Sequence, residues 1–433
     1  MFIWVVVVVL IFTGIHVIYH SKYNGIWEMQ GYGLAFKISN GLAKTFEVTD
    51  SFYCKEYNYN GIILGKSLIS GIGKFKLKRT DDVLEFFDAG AQVTYSFTKK
   101  ESIFFESKIR VKSGMQAEKF GMFYEMFQEN YAFQELYGVS LSEVYETLQK
   151  SVTKETSDQA LFNYMGELVS NLKDGHIAID WNEESFSPAD YIPEWISDVK
   201  QVNVLATLIQ ERYVMNYKKF NNCPIRYGVL SEQIGYIVIH GMGVESLNIT
   251  GSTKKAMDQI ISEFNEKGIK KIAMELRFNN GGFDAASLCI AGYFTNKKYL
   301  AYKKQAFTKG EYTPLQEVYV KPQSITYDGE VYILTSGFTI SAAETFLRGM
   351  LANPEHRVTI VGERTAGFYS DAIPRSLPDG FSYSLSNEVY YWYNDEMVEG
   401  QGIVPDVIIP VSMEAVNEGT ENALEWILGN KRT

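Results

Sequence analysis

The sequence predicts an α/β protein in which a layered core follows a small helical segment and a β-rich N-terminal domain. Three observations lead there. From residue 232 onward, apolar runs at 234–239, 269–276, 331–334 and 358–361 alternate with helical patterns at 257–264, 285–294 and 343–351. That rhythm belongs to layered α/β domains. Residues 24–112 instead carry short runs rich in aromatic and β-branched side chains, such as Tyr32-Gly33-Leu34-Ala35-Phe36 and Val93-Thr94-Tyr95-Ser96-Phe97. Turn signals stand between them (Ser39-Asn40-Gly41, Asn60-Gly61, Asp88-Ala89-Gly90), so a small barrel or sandwich is expected. Residues 117–173 turn to a helical pattern.

The chain opens with an almost wholly apolar stretch, FIWVVVVVLIFTGIHVI at residues 2–18. It is longer than a usual signal core and slightly short for a membrane span, and no Ala-x-Ala-like site follows it. It reads as an export signal or an uncleaved membrane anchor at residues 1–20. An extracytoplasmic protein, secreted or anchored, is expected; Lys22 favours the opposite orientation, which leaves orientation open. Within the helical segment at 117–180, Leu161, Met165, Leu168 and Leu172 share one helix face with a cap near Ser157-Asp158. It ends in Asp174-Gly175-His176. Residues 181–231 carry a Pro-containing loop and a helix near 202–213, and read as a linker region. The α/β core is expected over 232–412. Within it, aromatic-rich strands at 381–385 and 388–393 could pair. Residues 413–433 hold a closing helix, N-capped by Thr420 and stopped by Gly429.

Composition narrows the function. Hydrophobic residues make up 46% of the 433 and charged residues 21%, ordinary values for a globular core. A net charge of −11 provides no basic footprint, so nucleic acid is not an expected partner. The 27 Phe, 29 Tyr and 6 Trp suit aromatic strands and a groove for extended chains. Cys54, Cys223 and Cys289 are widely spaced and imply neither disulfide framework nor metal site. Neither Gly-x-Gly-x-x-Gly nor a Walker loop occurs, so no nucleotide, metal or other cofactor is expected. Asn248-Ile249-Thr250 is a glycosylation sequon, relevant only in a compartment that glycosylates.

The chemistry centres on residues 330–351, EVYILTSGFTISAAETFLRGML. A buried strand gives way to a helix, with Ser341 at the first turn. Free N–H groups and the positive dipole end there favour negative charge beside the serine. Ser341-Ala342-Ala343-Glu344 also fits a capping box, and the two roles can coexist. Gly281-Gly282, at a strand end before a helix, allows backbone N–H groups to approach a ligand or simply makes a tight turn. His176, between a helix stop and a strand, is by itself either structural or catalytic.

Four segments in this order resemble the C-terminal-processing (tail-specific) serine protease family, over about residues 120–412. They are Asp174-Gly175-His176, Leu276-Arg277-Phe278-Asn279-Asn280-Gly281-Gly282, Thr339-Ile340-Ser341-Ala342-Ala343-Glu344, and Gly362-Glu363-Arg364-Thr365-Ala366-Gly367 continuing to Glu399-Gly400-Gln401-Gly402-Ile403-Val404-Pro405-Asp406. The resemblance implies a ClpP/crotonase-like core. One branch of that family pairs its serine with a lysine, but Phe368 stands at the lysine position and no lysine occurs between Ser341 and Lys431. The other branch, similar to the tricorn core protease, uses serine, histidine and glutamate; Ser341, His176 and Glu399 stand in matching positions. His240 is the rival base. Two departures stand out: the stretch from His176 to Gly235 is too short for a PDZ domain, and Ile177 stands where relatives often have Thr.

The expected chemistry is peptide hydrolysis. Ser341 would attack, His176 would take and return its proton, and Glu399 would orient the imidazole. Ala342 N–H with that of Gly281 or Gly282 would form the oxyanion hole. The expected partner is a polypeptide or peptide substrate, or its C-terminal region; membrane association through residues 2–18 and assembly into an oligomer are left open. Two alternatives use the same fold: a binding module for apolar ligands or peptides, as in the interphotoreceptor retinoid-binding protein, and a serine esterase.

Overall fold

The computed structural model describes residues 21–70, 73–244, 248–355 and 358–429. The apolar stretch at 2–18 lies outside the described residues. Among the described residues no helix is long and apolar enough to cross a membrane. The chain divides into two compact units.

The first unit takes the chain up to Ala189, with Gln305–Pro314 and Asp371–Glu388. Its main sheet runs from Gly25–Met29 to Ile109–Arg110, and closes on itself because Leu42–Val48 pairs with both Leu34–Ser39 and Phe52–Leu64. Closure leaves no free edges in the ring. Alternation along the strands sends Trp27, Phe36, Leu84, Phe86 and Phe97 into one core. Phe36 meets Phe86 and Phe97 edge-on, with centroids 5.5 and 5.2 Å apart. The Asn40-Gly41 turn forms as expected, both residues at positive φ. Asn60-Gly61, expected as a turn, instead continues the 13-residue strand Phe52–Leu64. Gly61 sits there because a Cβ would lie 2.4 Å from the Ile69 carbonyl oxygen; the glycine serves a close strand approach rather than a turn.

Helices Gln116–Asn130, Leu141–Leu148 and Asp158–Val169 follow the barrel, the last capped by the Ser157 side chain on Ala160 N–H. Beyond Asp158–Val169 a four-stranded antiparallel sheet forms in the order Glu184–Phe186, Ala178–Trp181, Phe381–Ser386, Ala372–Leu377. The expected pairing of 381–385 with 388–393 does not occur. Asn387 alone separates Phe381–Ser386 from Glu388–Trp392, and one residue cannot reverse a chain into a hairpin.

The second unit holds a seven-stranded sheet in the order Met215–Lys219, Ile225–Ser231, Ile234–Ile239, Lys271–Glu275, Glu330–Thr335, Val358–Gly362, Val407–Ile408. From Ile234–Ile239 onward the pairs are parallel. Both faces are covered, which explains why these strands read as continuous apolar runs. Ile237, Ile239, Ile272 and Met274 pack with Met257, Phe264 and Phe346 from helices Gly251–Glu266 and Ala342–Leu351. The intervening Tyr236, Val238 and Ala273 face Leu205, Ile209 and Leu424 on the other side. The 181–231 stretch therefore supplies more than a link. Its helix Val199–Leu208 and the strands Met215–Lys219 and Ile225–Ser231 are built into this unit, because Leu205 and Tyr227 are fully buried. The closing helix spans Asn422–Ile427, and its cap is Glu421, whose carboxylate accepts from Ala423 and Leu424 N–H, rather than Thr420.

Candidate active site

In the second unit, three loops leave the carboxyl ends of parallel strands, where open α/β sheets place their chemistry. The first follows Lys271–Glu275. Arg277 there is buried between two carboxylates, Glu275 at 2.7 Å and Glu421 at 2.8 Å. Asn279 donates to the Ile239 carbonyl at 2.8 Å and accepts from Gly281 N–H at 2.9 Å. Gly281 and Gly282 adopt φ of +100° and +138°, conformations that side chains rarely tolerate. A Cβ on Gly281 would lie 2.7 Å from Ser341 Cβ. The glycine pair and the serine are thus brought together.

The second loop carries Ser341 between Glu330–Thr335 and Ala342–Leu351. It is tied to the first by Ser336 Oγ on the Arg277 carbonyl (2.8 Å) and Thr339 Oγ1 on that of Leu276 (2.9 Å). Ser341 has φ 61° and ψ −128°, outside the helical, extended and left-handed wells of side-chain-bearing residues. Such a conformation costs about 1–3 kcal/mol and persists only where the surroundings impose it. Ala342 begins the helix, so its N–H has no partner along it.

The capping box that the sequence also allowed does not form. The Ser341 side chain makes no cap hydrogen bond, and Ser341 N–H donates to the Phe368 carbonyl at 2.9 Å. Glu344 reaches away from the helix start into the third loop. Its carboxylate accepts from Thr365 Oγ1 (2.5 Å), Gly367 N–H (2.9 Å) and Phe368 N–H (2.9 Å). Burial pushes this carboxyl up to about 7, against those hydrogen bonds and the Arg348 charge, which favour ionisation. Glu399, also buried, accepts from Tyr369 and Ser370 N–H with one oxygen, each at 3.0 Å. Two buried carboxylates therefore take the four successive N–H groups of residues 367–370. That loop holds the Ser341 N–H through its Phe368 carbonyl, so Glu399 and Ser341 are joined through one short segment.

His176 lies in the first unit, immediately before Ala178–Trp181. Asp174, fully buried, accepts from His176 N–H at 2.8 Å and from Tyr131 Oη at 3.0 Å. The His176 carbonyl accepts from Ser384 Oγ at 2.7 Å. The backbone of Asp-Gly-His is thereby fixed. Burial lowers the imidazole pKa, with Asp174 and Asp371 pulling it back up; the histidine favours its neutral form. His240, the rival base, follows Ile234–Ile239 in the second unit and lines a separate cavity there.

Residues 233–409 match the model of peptidase family S41. The likeness to that family lies in the second unit, where the matched residues fall. Over 194 residues it is 25% identical to a Staphylococcus saprophyticus protein described as a CtpA-like serine protease, covering 44% of this chain and 37% of the relative. Over 155 residues it is 24% identical to a carboxy-terminal-processing protease of Bartonella bacilliformis, covering 36% of this chain and 34% of the relative. The chain thus spans little more than a third of the length of these curated relatives. A Parabacteroides merdae structure described as a peptidase shares the fold with TM-score 0.61 and 23% identity, over 73% of this chain and 96% of that one. The S41 match includes the glycine pair, Ser341 and Glu399, whereas His176 precedes it. Glu344 as a loop anchor and Phe368 as the acceptor for the serine amide were missed in the sequence. The only local signal for Glu344, three residues after a serine at a helix start, suits a capping box equally well.

Proposed function

We propose that this protein is a serine peptidase acting on polypeptides, with Ser341 as nucleophile, His176 as base and Glu399 as the group that orients the imidazole. The observation that carries it is the strained backbone of Ser341 at a helix start, held by Phe368 and packed against Gly281. A serine placed there presents its hydroxyl beside N–H groups with nothing to bond along the helix. In the reaction, Ser341 Oγ bonds to the peptide carbonyl carbon as His176 removes its proton. The developing oxyanion is met by Ala342 N–H and a donor from the glycine pair. Gly281 N–H is already engaged by Asn279, so Gly282 is assigned that second role. His176 then returns the proton to the leaving amine, and water repeats the sequence on the acyl-enzyme. The layered core is assigned to the ClpP/crotonase type on its parallel sheet and strand-end loops. The extracytoplasmic location rests on the sequence at 2–18.

Detergent-solubilised full-length protein should react with a fluorophosphonate probe and cleave unstructured polypeptide. Ser341→Ala should lose both; His176→Ala should slow both by about a thousandfold. Undiminished hydrolysis in Ser341→Ala would sink the assignment.

Acid should silence the enzyme. A base works neutral, and burial holds the His176 pKa below its ordinary value of 6.5. Labelling should therefore stay high at neutral pH and fall on acidification, with a midpoint below 6.5. Imidazole NMR of His176 should titrate at the same midpoint. A labelling midpoint near 7 that the imidazole does not share would point to Glu344 instead.

A further inference from the structure

A cavity of about 150 Å³ opens in the second unit, lined by Arg226, Tyr236, His240, Phe278 and the segment Ile209-Gln210-Glu211. Three features set it apart. Arg226 is half-buried, yet among the described residues it makes no side-chain hydrogen bond or ion pair. Arg277 and Lys119, by contrast, are each paired with two carboxylates, Arg277 with Glu275 and Glu421 and Lys119 with Asp158 and Asp379. His240 Nε2 is buried with no hydrogen-bond partner, and a buried polar atom left unpaired is costly. The wall at Ile209–Tyr213 is a π-helical turn, an irregularity that proteins keep mainly at functional positions.

We propose that this cavity binds a carboxylate, through the Arg226 guanidinium and the His240 imidazole. The planar guanidinium fork matches the two oxygens of a carboxylate. A neutral imidazole can add one N–H donor, and burial together with the Arg226 charge keeps His240 neutral, its pKa lowered to about 4. Phe278 and Tyr236 offer apolar flanks to the carbons beside the carboxylate. The other titratable groups lining the cavity are Glu211, at its exposed mouth, and Tyr236, whose hydroxyl is already committed to Glu275 at 3.2 Å; Tyr217 completes the set. The volume suits a carboxylate and its neighbouring atoms, not a nucleotide. The source is a chain terminus or an acidic side chain.

Full-length Ser341→Ala protein, in which hydrolysis plays no part, separates this site from the proposed peptidase activity. Acetyl-Ala-Ala as free acid, acetyl-Ala-Ala-amide and acetyl-Ala-Glu-amide would be titrated by calorimetry and by imidazole NMR. The free acid should bind and move the His240 signals, and the first amide should not. Binding of the Glu-amide more strongly than the free acid assigns the site to acidic side chains, equal strength shows that it takes a carboxylate from either source, and failure of the Glu-amide assigns it to chain termini. Arg226→Gln should weaken binding about tenfold or more with the melting curve retained. His240→Asn provides a second variant should Arg226→Gln unfold. Equal binding of acid and amide, unchanged affinity in both variants, no binding at millimolar ligand, or inorganic phosphate binding as well as the acid would each overturn the proposal.

Discussion

Arg277→Gln is expected to destabilise the unit that carries Ser341 by roughly 3–5 kcal/mol, read as a drop in its urea midpoint. The arginine is 1% exposed and is the counter-charge of two buried carboxylates. Its Nε and Nη2 grip both oxygens of Glu275, while Nη1 holds Glu421. Glutamine leaves two negative charges buried with no cation between them, and the lost Coulomb attraction is not replaced by water. The damage reaches two further places. Glu421 caps Asn422–Ile427, so the closing helix loses a well-positioned cap. The Arg277 carbonyl accepts from Ser336, so the serine loop loses a fixed neighbour and probe labelling should fall with stability. Replacing all three charges with apolar residues of similar volume should recover much of the loss, since the penalty comes from the unpaired carboxylates. A midpoint change below about 1 kcal/mol for Arg277→Gln would show that water or a second cation reaches this pair.

Gly281→Ala should cut fluorophosphonate labelling by about a hundredfold, because displacement of reacting groups by about 1 Å has that effect. The added Cβ would stand 2.7 Å from Ser341 Cβ and 3.0 Å from the Ile340 carbonyl oxygen. Neither is the end of a flexible side chain, so the serine or the turn must shift. The φ of +100° adds backbone strain, for a total stability cost of about 1–3 kcal/mol. Gly268→Ala is the control. That residue also has positive φ (+66°), but a Cβ there meets nothing within 4 Å. It should lose stability through backbone strain and keep its labelling rate. Equal labelling losses in the two variants would mean that contact with Ser341 is not what matters.

Much of the core was legible from neighbours in the chain. The strand–helix alternation from 234 to 361 followed from the apolar periods, and Glu330–Thr335 leading into Ala342–Leu351 placed Ser341 at a helix start. Ser157 was readable as a cap because capping is a contact over three residues. Gly281 was readable as a backbone device because its lack of a side chain is itself the signal. These features depend on local sterics and on the 2.0 and 3.6 residue periods, which any short window of sequence contains.

Other features came only with the tertiary structure, where local signals had two readings. Ser341-x-x-Glu344 could close a capping box, yet Glu344 found stronger use in the N–H groups of Gly367 and Phe368, more than 20 residues away. Asn60-Gly61 could turn the chain, yet Gly61 was needed where the Ile69 carbonyl comes close. Glu388–Trp392 could fold back on Phe381–Ser386, yet a single intervening residue sent them to different sheets. Arg277 met Glu421 across 144 positions, a pairing no window of sequence displays. The sequence by itself determined the strand–helix alternation of the core and where the serine stands. The tertiary structure decided which buried carboxylate holds which loop, because buried charges take the partners that packing brings to them, whatever their distance along the chain.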